Sequence, residues 1–177
     1  YKDVPAFMVK LRGRKGVGAA CLEFTILCCT RTSESTGTKP PEIDLTSLIW
    51  TIPAERMKAQ KEHRVPLTAR AVEIYQGIPT IKGLAFPGSK GKELSENTML
   101  KVLERMGYGQ YTVHGFRSAF RDWAADQTNY PNEVAEMALS HVVDDKVEAA
   151  YRRGELLDKR RNLANDWAAY CASAIAA

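Results

Sequence analysis

The sequence predicts a mostly helical α+β domain with a small antiparallel sheet in its first third. Three observations predict it. An apolar run at 17–30 (VGAACLEFTILCCT) reads as a buried helix. Two short β-rich runs follow, joined by a charged link. From His114 onward every segment is helical in character.

The elements follow in order. Residues 4–14 (VPAFMVKLRGR) form a short helix, closed by the glycines at 13 and 16. Within 17–30, Cys21 and Cys28 stand seven positions apart and so share a helix face. Between Arg31 and Pro41, Gly37, Pro40 and Pro41 exclude a continuous helix. Ser47–Pro53 (SLIWTIP) and His63–Leu67 (HRVPL) read as strands of a β-hairpin, with RMKAQKE as its solvent-exposed link. Thr68 is the N-cap of a helix over 69–76. LAFP (84–87) supplies a third short strand, and Ser95 caps a helix ending near Gly107. HGFRSAFRDWAAD, NEVAEMALS, DDKVEAAYRR and a long last helix complete the chain, with breaks at Asn129–Tyr130–Pro131 and after His141. In the last helix Leu163, Trp167, Cys171 and Ile175 recur every four residues, a packing face for its own domain or for a neighbouring protomer. The tail ASAIAA is expected to fray.

At 177 residues, 45% hydrophobic and 26% charged, the chain suits one soluble domain, expected to span 1–177. It opens YKDVPAF without an initiator Met, which suggests a fragment of something longer. No apolar run approaches the roughly 20 residues of a membrane span, and the expected location is the cytoplasm. Four cysteines lack CxxC or zinc-ligand spacing and read as reduced core residues, so neither a metal nor another cofactor is expected. The net charge of +4 is mild. Its clusters, KLRGRKG (10–16), SKGK (89–92), RR (152–153) and KRR (159–161), are each ordinary as solvated faces and together favour a nucleic-acid partner.

His114 and Arg117, three apart at a helix start, suit a phosphate: two charge-assisted donors, one able to bind two oxygens. HxxR alone equally describes a packed histidine and a surface arginine. Taken singly, Tyr151 is a half-buried aromatic, His141 a satisfied core or capping residue, Arg31 a helix C-terminal cation and His63 a hairpin surface residue.

Order and company change that weighing. HGFR, ALSH, AAYRR and the KRRNLANDWAAYC tail together resemble the tyrosine recombinases, most closely the integrases of satellite phages and genomic islands. LEFTILCCTRTSE resembles the stretch holding that family's first catalytic arginine, here Arg31. IWTIPAERMKAQKEHRVPL resembles its β-hairpin with the catalytic lysine, here Lys58, with Lys61 three residues on as the alternative. The likeness covers essentially the whole chain and implies the tyrosine-recombinase catalytic-domain fold, without the core-binding and arm domains that precede it.

The resemblance also implies roles. Tyr151 attacks the scissile phosphate, Arg31 and Arg117 clamp its oxygens, and Lys58 protonates the departing 5′ oxygen. His114 assists proton transfer, His141 hydrogen-bonds the phosphate, and Glu34 supports Arg31. The implied partner is double-stranded DNA at attachment sites, bound by a homo-tetramer, with a monomer as the alternative for the isolated domain, and neither ATP nor metal is required. The chemistry fits: a tyrosine hydroxyl, with a pKa near 10, needs neighbouring cations or a base to act at neutral pH. In the family the first arginine is followed by a helix-like segment with a basic–Trp pair. TSESTGTKPPEID stands there instead, and its Pro40 and Pro41 would alter that segment and with it the seating of Arg31 or its DNA contacts. Competing readings are a non-catalytic DNA-binding relative, a type IB topoisomerase-like enzyme and a metal-dependent nuclease.

Overall fold

The computed structural model describes residues 1–141 and 153–175. Helix α1 (Val4–Arg12) starts on Pro5 near its N-terminus, where a missing N–H is harmless, and buries Phe7, Met8 and Leu11. Helix α2 (Val17–Cys28) is buried continuously from Cys21 to its end and forms the axis of the core. Gly18 admits its neighbour α5 (Asn97–Arg105), since a Cβ there would lie 2.7 Å from Thr98 Cγ2. Cys29 ends α2 in the left-handed conformation, φ 55°. The short helix α3 (Thr32–Thr36) follows, then a 3₁₀ turn at Pro40–Glu42, so the expected break in helicity is present.

The sheet is antiparallel, in the order β1 (Ile43–Asp44), β2 (Ile49–Ile52), β3 (His63–Pro66). Register pairs Ile52 with His63 and Ile49 with Pro66, giving the expected hairpin. The third strand is not LAFP. Leu84, Ala85 and Phe86 are all buried, Phe86 packing on Phe24, and the segment makes only isolated bridges at Leu84 and Pro87. A segment buried on every side lacks the alternating faces of a half-buried strand, and Pro87 has no N–H to give. The third strand is instead Ile43–Asp44, turned onto β2 by the Asp44 carboxylate, which accepts from Thr46 N at 2.8 Å and Ser47 N at 3.2 Å.

Thr68 caps α4 (Ala69–Gln76) as expected, its hydroxyl accepting from Ala71 N. Ser95 lies one residue further out than expected, with Glu96 at the N-cap of α5, and its Oγ takes Asn97 N at 3.4 Å. Helices α6 (Gly115–Gln127) and α7 (Asn132–Ala138) follow. The DDKVEAAYRR segment lies outside the described residues except for its final arginine, the first residue of α8 (Arg153–Ala172).

Leu163, Trp167 and Cys171 of α8 are fully buried within this domain. Trp167 packs on Phe120 and Trp123 and donates to Ile26 O at 2.9 Å. The reading of that stripe as a docking face for a neighbouring protomer is therefore corrected for Leu163, Trp167 and Cys171, which are buried in a helix packed on α1, α2 and α7 of its own domain. The KRR cluster is not a solvated face either. Arg160 is buried and donates to Arg64 O, and Arg161 donates to Ser47 O at 3.0 Å, so the pair fastens α8 to the sheet. All four cysteines are buried and free. No helix among the described residues is long and apolar enough to cross a membrane.

Candidate active site

Arg31 follows the left-handed bend at Cys29 and stands in extended conformation as the N-cap of α3. Glu34, one turn on, reaches back with both carboxylate oxygens. Oε2 accepts Arg31 N at 2.8 Å and Oε1 meets Arg31 Nη1 at 2.8 Å. This is the glutamate half of a capping box, with a guanidinium added to its load. Glu34 is 1% exposed and the Arg31 side chain 26%, so the arginine is fixed from beneath and open above. Pro40 and Pro41 lie beyond α3, in the 3₁₀ turn Pro40–Glu42.

Arg117, from the first turn of α6, is buried and held by main-chain oxygens. Nη1 donates to Cys29 O and Nη2 to Leu139 O at 2.6 Å. The carbonyl it takes lies two residues before Arg31, so one bend of chain positions both guanidiniums. Burial first, then the neighbouring Arg31 cation, holds the Arg117 pKa below its ordinary value. Its Nε has no partner among the described residues.

His141, just past α7, comes within 3.5 Å of Arg117 Nη2 through Nε2, while Nδ1 lies 2.6 Å from Glu136 Oε2. The carboxylate claims the Nδ1 proton, which leaves Nε2 facing the arginine and the open side. Burial alone would raise the Glu136 carboxyl, but hydrogen bonds from His141 and Arg121 bring it below its usual range. His114 is the exposed N-cap of α6, three residues before Arg117 and without a side-chain cap hydrogen bond. Lys58 is exposed on the loop between β2 and β3. Among the described residues, no hydrogen bond or ion pair joins it to the arginines. Tyr151 lies outside the described residues; the chain leaves the described part at His141 and returns at Arg153.

His63 is not the surface residue expected of a hairpin. It is 7% exposed, and burial, followed by the Arg160 cation, pushes its pKa down to about 3; hydrogen bonding to the Ala138 backbone opposes the shift, and Arg117 and Arg31 add to it. The imidazole is neutral and stands where β3, α7 and α8 meet. Strand alternation carried the signal: His63 and Val65 share the inward face. Arg160 was also missed as a site neighbour. It falls between Leu156 and Leu163 on the buried stripe of α8, and burial, then Arg64, lowers its pKa to about 10. Glu136 had no comparable signal, because a residue five before His141 has no fixed relation to it until α7 ends. No group of three or more His, Cys, Asp or Glu that could hold a metal occurs among the described residues.

Arg117 thus lies near Arg31 and touches His141, and two guanidiniums and an imidazole so grouped have the chemistry to receive an anion such as a phosphodiester. Residues 3–155 match the phage integrase family. The chain belongs to that family. Its mostly helical domain with a three-stranded antiparallel sheet agrees with the tyrosine-recombinase catalytic domain that the motifs implied.

Prophage integrase IntA of Escherichia coli (strain K12) is 34% identical over 151 residues, 82% of this chain and 36% of that protein. The integrase of Enterobacteria phage P4 is 32% identical over 189 residues, 94% of this chain and 43% of its own. Prophage integrase IntZ of the same E. coli strain is 34% identical over 172 residues, covering 94% and 42%. The chain thus spans less than half the length of these three integrases. No solved structure matches it.

Proposed function

We propose that this integrase-family chain cleaves and rejoins DNA strands through a covalent 3′-phosphotyrosine, and that it serves the integration or excision of a phage or genomic island. The observation that carries the reading is the shared bend at Cys29–Arg31, which seats Arg31 directly and takes Arg117 through a main-chain carbonyl. Two cations fixed to one piece of backbone are preorganised for the charge that gathers on non-bridging phosphate oxygens in the transition state.

In this mechanism the Tyr151 oxygen attacks phosphorus as the bond to the 5′ oxygen breaks. The tyrosine proton passes to the histidine side of the site, with His114 as its receiver, and Lys58 gives a proton to the departing 5′ oxygen. His141, held by Glu136 through Nδ1–H, donates to the phosphate once Nε2 carries a second proton. Attack by a 5′-hydroxyl of a partner strand reverses each step and joins new ends. Phosphate contacts from the exposed basic residues hold the DNA, so binding weakens steeply with salt. Strand exchange between two duplexes takes four copies of the protein.

The test is a trapping assay on nicked suicide DNA at low salt in chelator, comparing the chain with Tyr151→Phe. A denaturation-resistant protein–DNA adduct that the substitution abolishes is expected. DNA binding without an adduct from either protein overturns the proposal in favour of a non-catalytic DNA-binding relative.

A further inference from the structure

The loop that presents Lys58 is short and exposed, yet both residues that bound it are fastened to the walls of the anion site. On the near side stands Arg56, the last residue of a 3₁₀ turn, Ala54–Arg56. Its Nη2 donates to Glu34 O and reaches Ser33 O at 3.4 Å, both in α3, the helix that begins at Arg31. Its Nη1 meets Glu42, whose carboxylate also accepts Trp50 Nε1 at 3.0 Å. Gly37 makes room for this contact, since a Cβ there would come within 2.9 Å of Arg56 Nη2. On the far side stands His63, the first residue of β3, paired with Ile52 across the hairpin. Its buried ring stands beside the Ala138 backbone, one residue before the Leu139 carbonyl that holds Arg117 and three before His141. Met57, next to Lys58, is buried as well.

We propose that Arg56 and His63 are positioning residues for Lys58, fixing one end of its loop to the Arg31 helix and the other to the turn shared by Arg117 and His141. The inference rests on the reading of Lys58 as the proton donor to the leaving oxygen. A flexible four-carbon side chain delivers a proton in register only if its backbone is placed relative to the phosphate, and a displacement of about 1 Å at a reacting group costs on the order of 10²-fold in rate. Nothing on Arg56 or His63 needs to touch DNA for this. Glu42 neutralises Arg56, and His63 is neutral and enclosed.

The experiment compares single-turnover cleavage of two DNA substrates of the same sequence. One has an ordinary scissile phosphodiester, and in the other sulfur replaces the bridging 5′ oxygen. Sulfur leaves with the bonding pair as a stable thiolate and needs no proton, while the new bond from phosphorus to the Tyr151 oxygen is unchanged. Lys58→Ala, Arg56→Met, Arg56→Lys and His63→Leu are measured on both, with thermal melts to confirm folding. Arg56→Met and His63→Leu are expected to lose about 10- to 100-fold on ordinary DNA. Most of that loss returns on the sulfur substrate, as for Lys58→Ala, and Arg56→Lys falls less than Arg56→Met. Equal losses on the two substrates, or none, overturn the inference and leave Arg56 and His63 as ordinary structural residues. If one variant does not fold, the other decides by the same ratio. Should Lys58→Ala itself gain nothing from sulfur, the proton-donor reading falls and takes this inference with it. Rescue of Lys58→Ala alone refutes only the inference.

Discussion

Replacing Arg31 should harm folding more than replacing the glutamate beneath it, although Arg31 is the residue assigned to the phosphate. The two side chains make one ion pair at 2.8 Å, but Glu34 is 1% exposed and Arg31 26%. Arg31→Met strands a carboxylate that has no access to water. Breaking a buried pair in this way costs about 3–5 kcal/mol. The backbone N–H that still reaches Oε2 at 2.8 Å keeps the expectation at the lower end. Glu34→Gln strands a cation that can turn its exposed quarter to solvent, and the amide oxygen still serves the backbone N–H. The loss of one charged hydrogen bond is then about 1.5 kcal/mol. At about 2–4 °C per kcal/mol for a domain of this size, Arg31→Met lowers Tm by about 6–12 °C and Glu34→Gln by about 3–6 °C. Thermal and urea melts of both single variants and the double variant measure this. The double variant should lose less than the sum, because neither charge is left alone. Additive losses, or a larger loss from Glu34→Gln, would refute the argument that Glu34 is the enclosed partner.

Three further outcomes follow from the packing. His63 has a folded-state pKa near 3 against an ordinary 6.5, so the unfolded chain binds the extra proton and stability is lost as pH falls below 6.5. Between pH 6.5 and 5 this amounts to about 2 kcal/mol, and urea melts of His63→Gln should lack that part of the slope; an unchanged slope contradicts the buried neutral imidazole. Gly18→Ala should destabilise by about 1–3 kcal/mol through its clash with Thr98, and Thr98→Ser in the same chain should recover much of it in a thermal melt. Burial raises all four thiols, Cys21 to about 12, so a thiol reagent at pH 8 should label none in the folded protein and four after unfolding.

Much of the fold was legible because local signals and burial agree. The apolar run of α2, the Thr68 cap and the β2–β3 hairpin each announce themselves within a dozen residues. The misreadings arose where burial comes from distant parts of the chain. Leu84–Phe86 looks like a strand because it is apolar, yet it packs on all sides against α2 and its neighbours and leaves no edge free for a ladder. Strand β1 is only two residues long, and its one local sign is the Asp44 side chain that starts the turn. The same division runs through the site. Arg31 with Glu34, and His114 with Arg117, are local spacings that a sequence displays. The partners of Arg117 are carbonyls 88 and 22 residues away, and no residue type advertises a carbonyl. His63 was misplaced because charge and loop composition outweighed the period-2 pattern that pointed it inward.

The main-chain grip on Arg117 has a consequence for how this site can change over time. Cys29 and Leu139 contribute oxygen atoms that every amino acid possesses. Substitution at either position alters the lining of the core while leaving the acceptor chemistry intact, provided the left-handed turn at 29 survives, a conformation glycine adopts more readily than cysteine. The guanidinium is thus referenced to the path of the chain, and the side chains around it are free to drift. Descendants could diverge widely at both positions and still point the same cation at the same place.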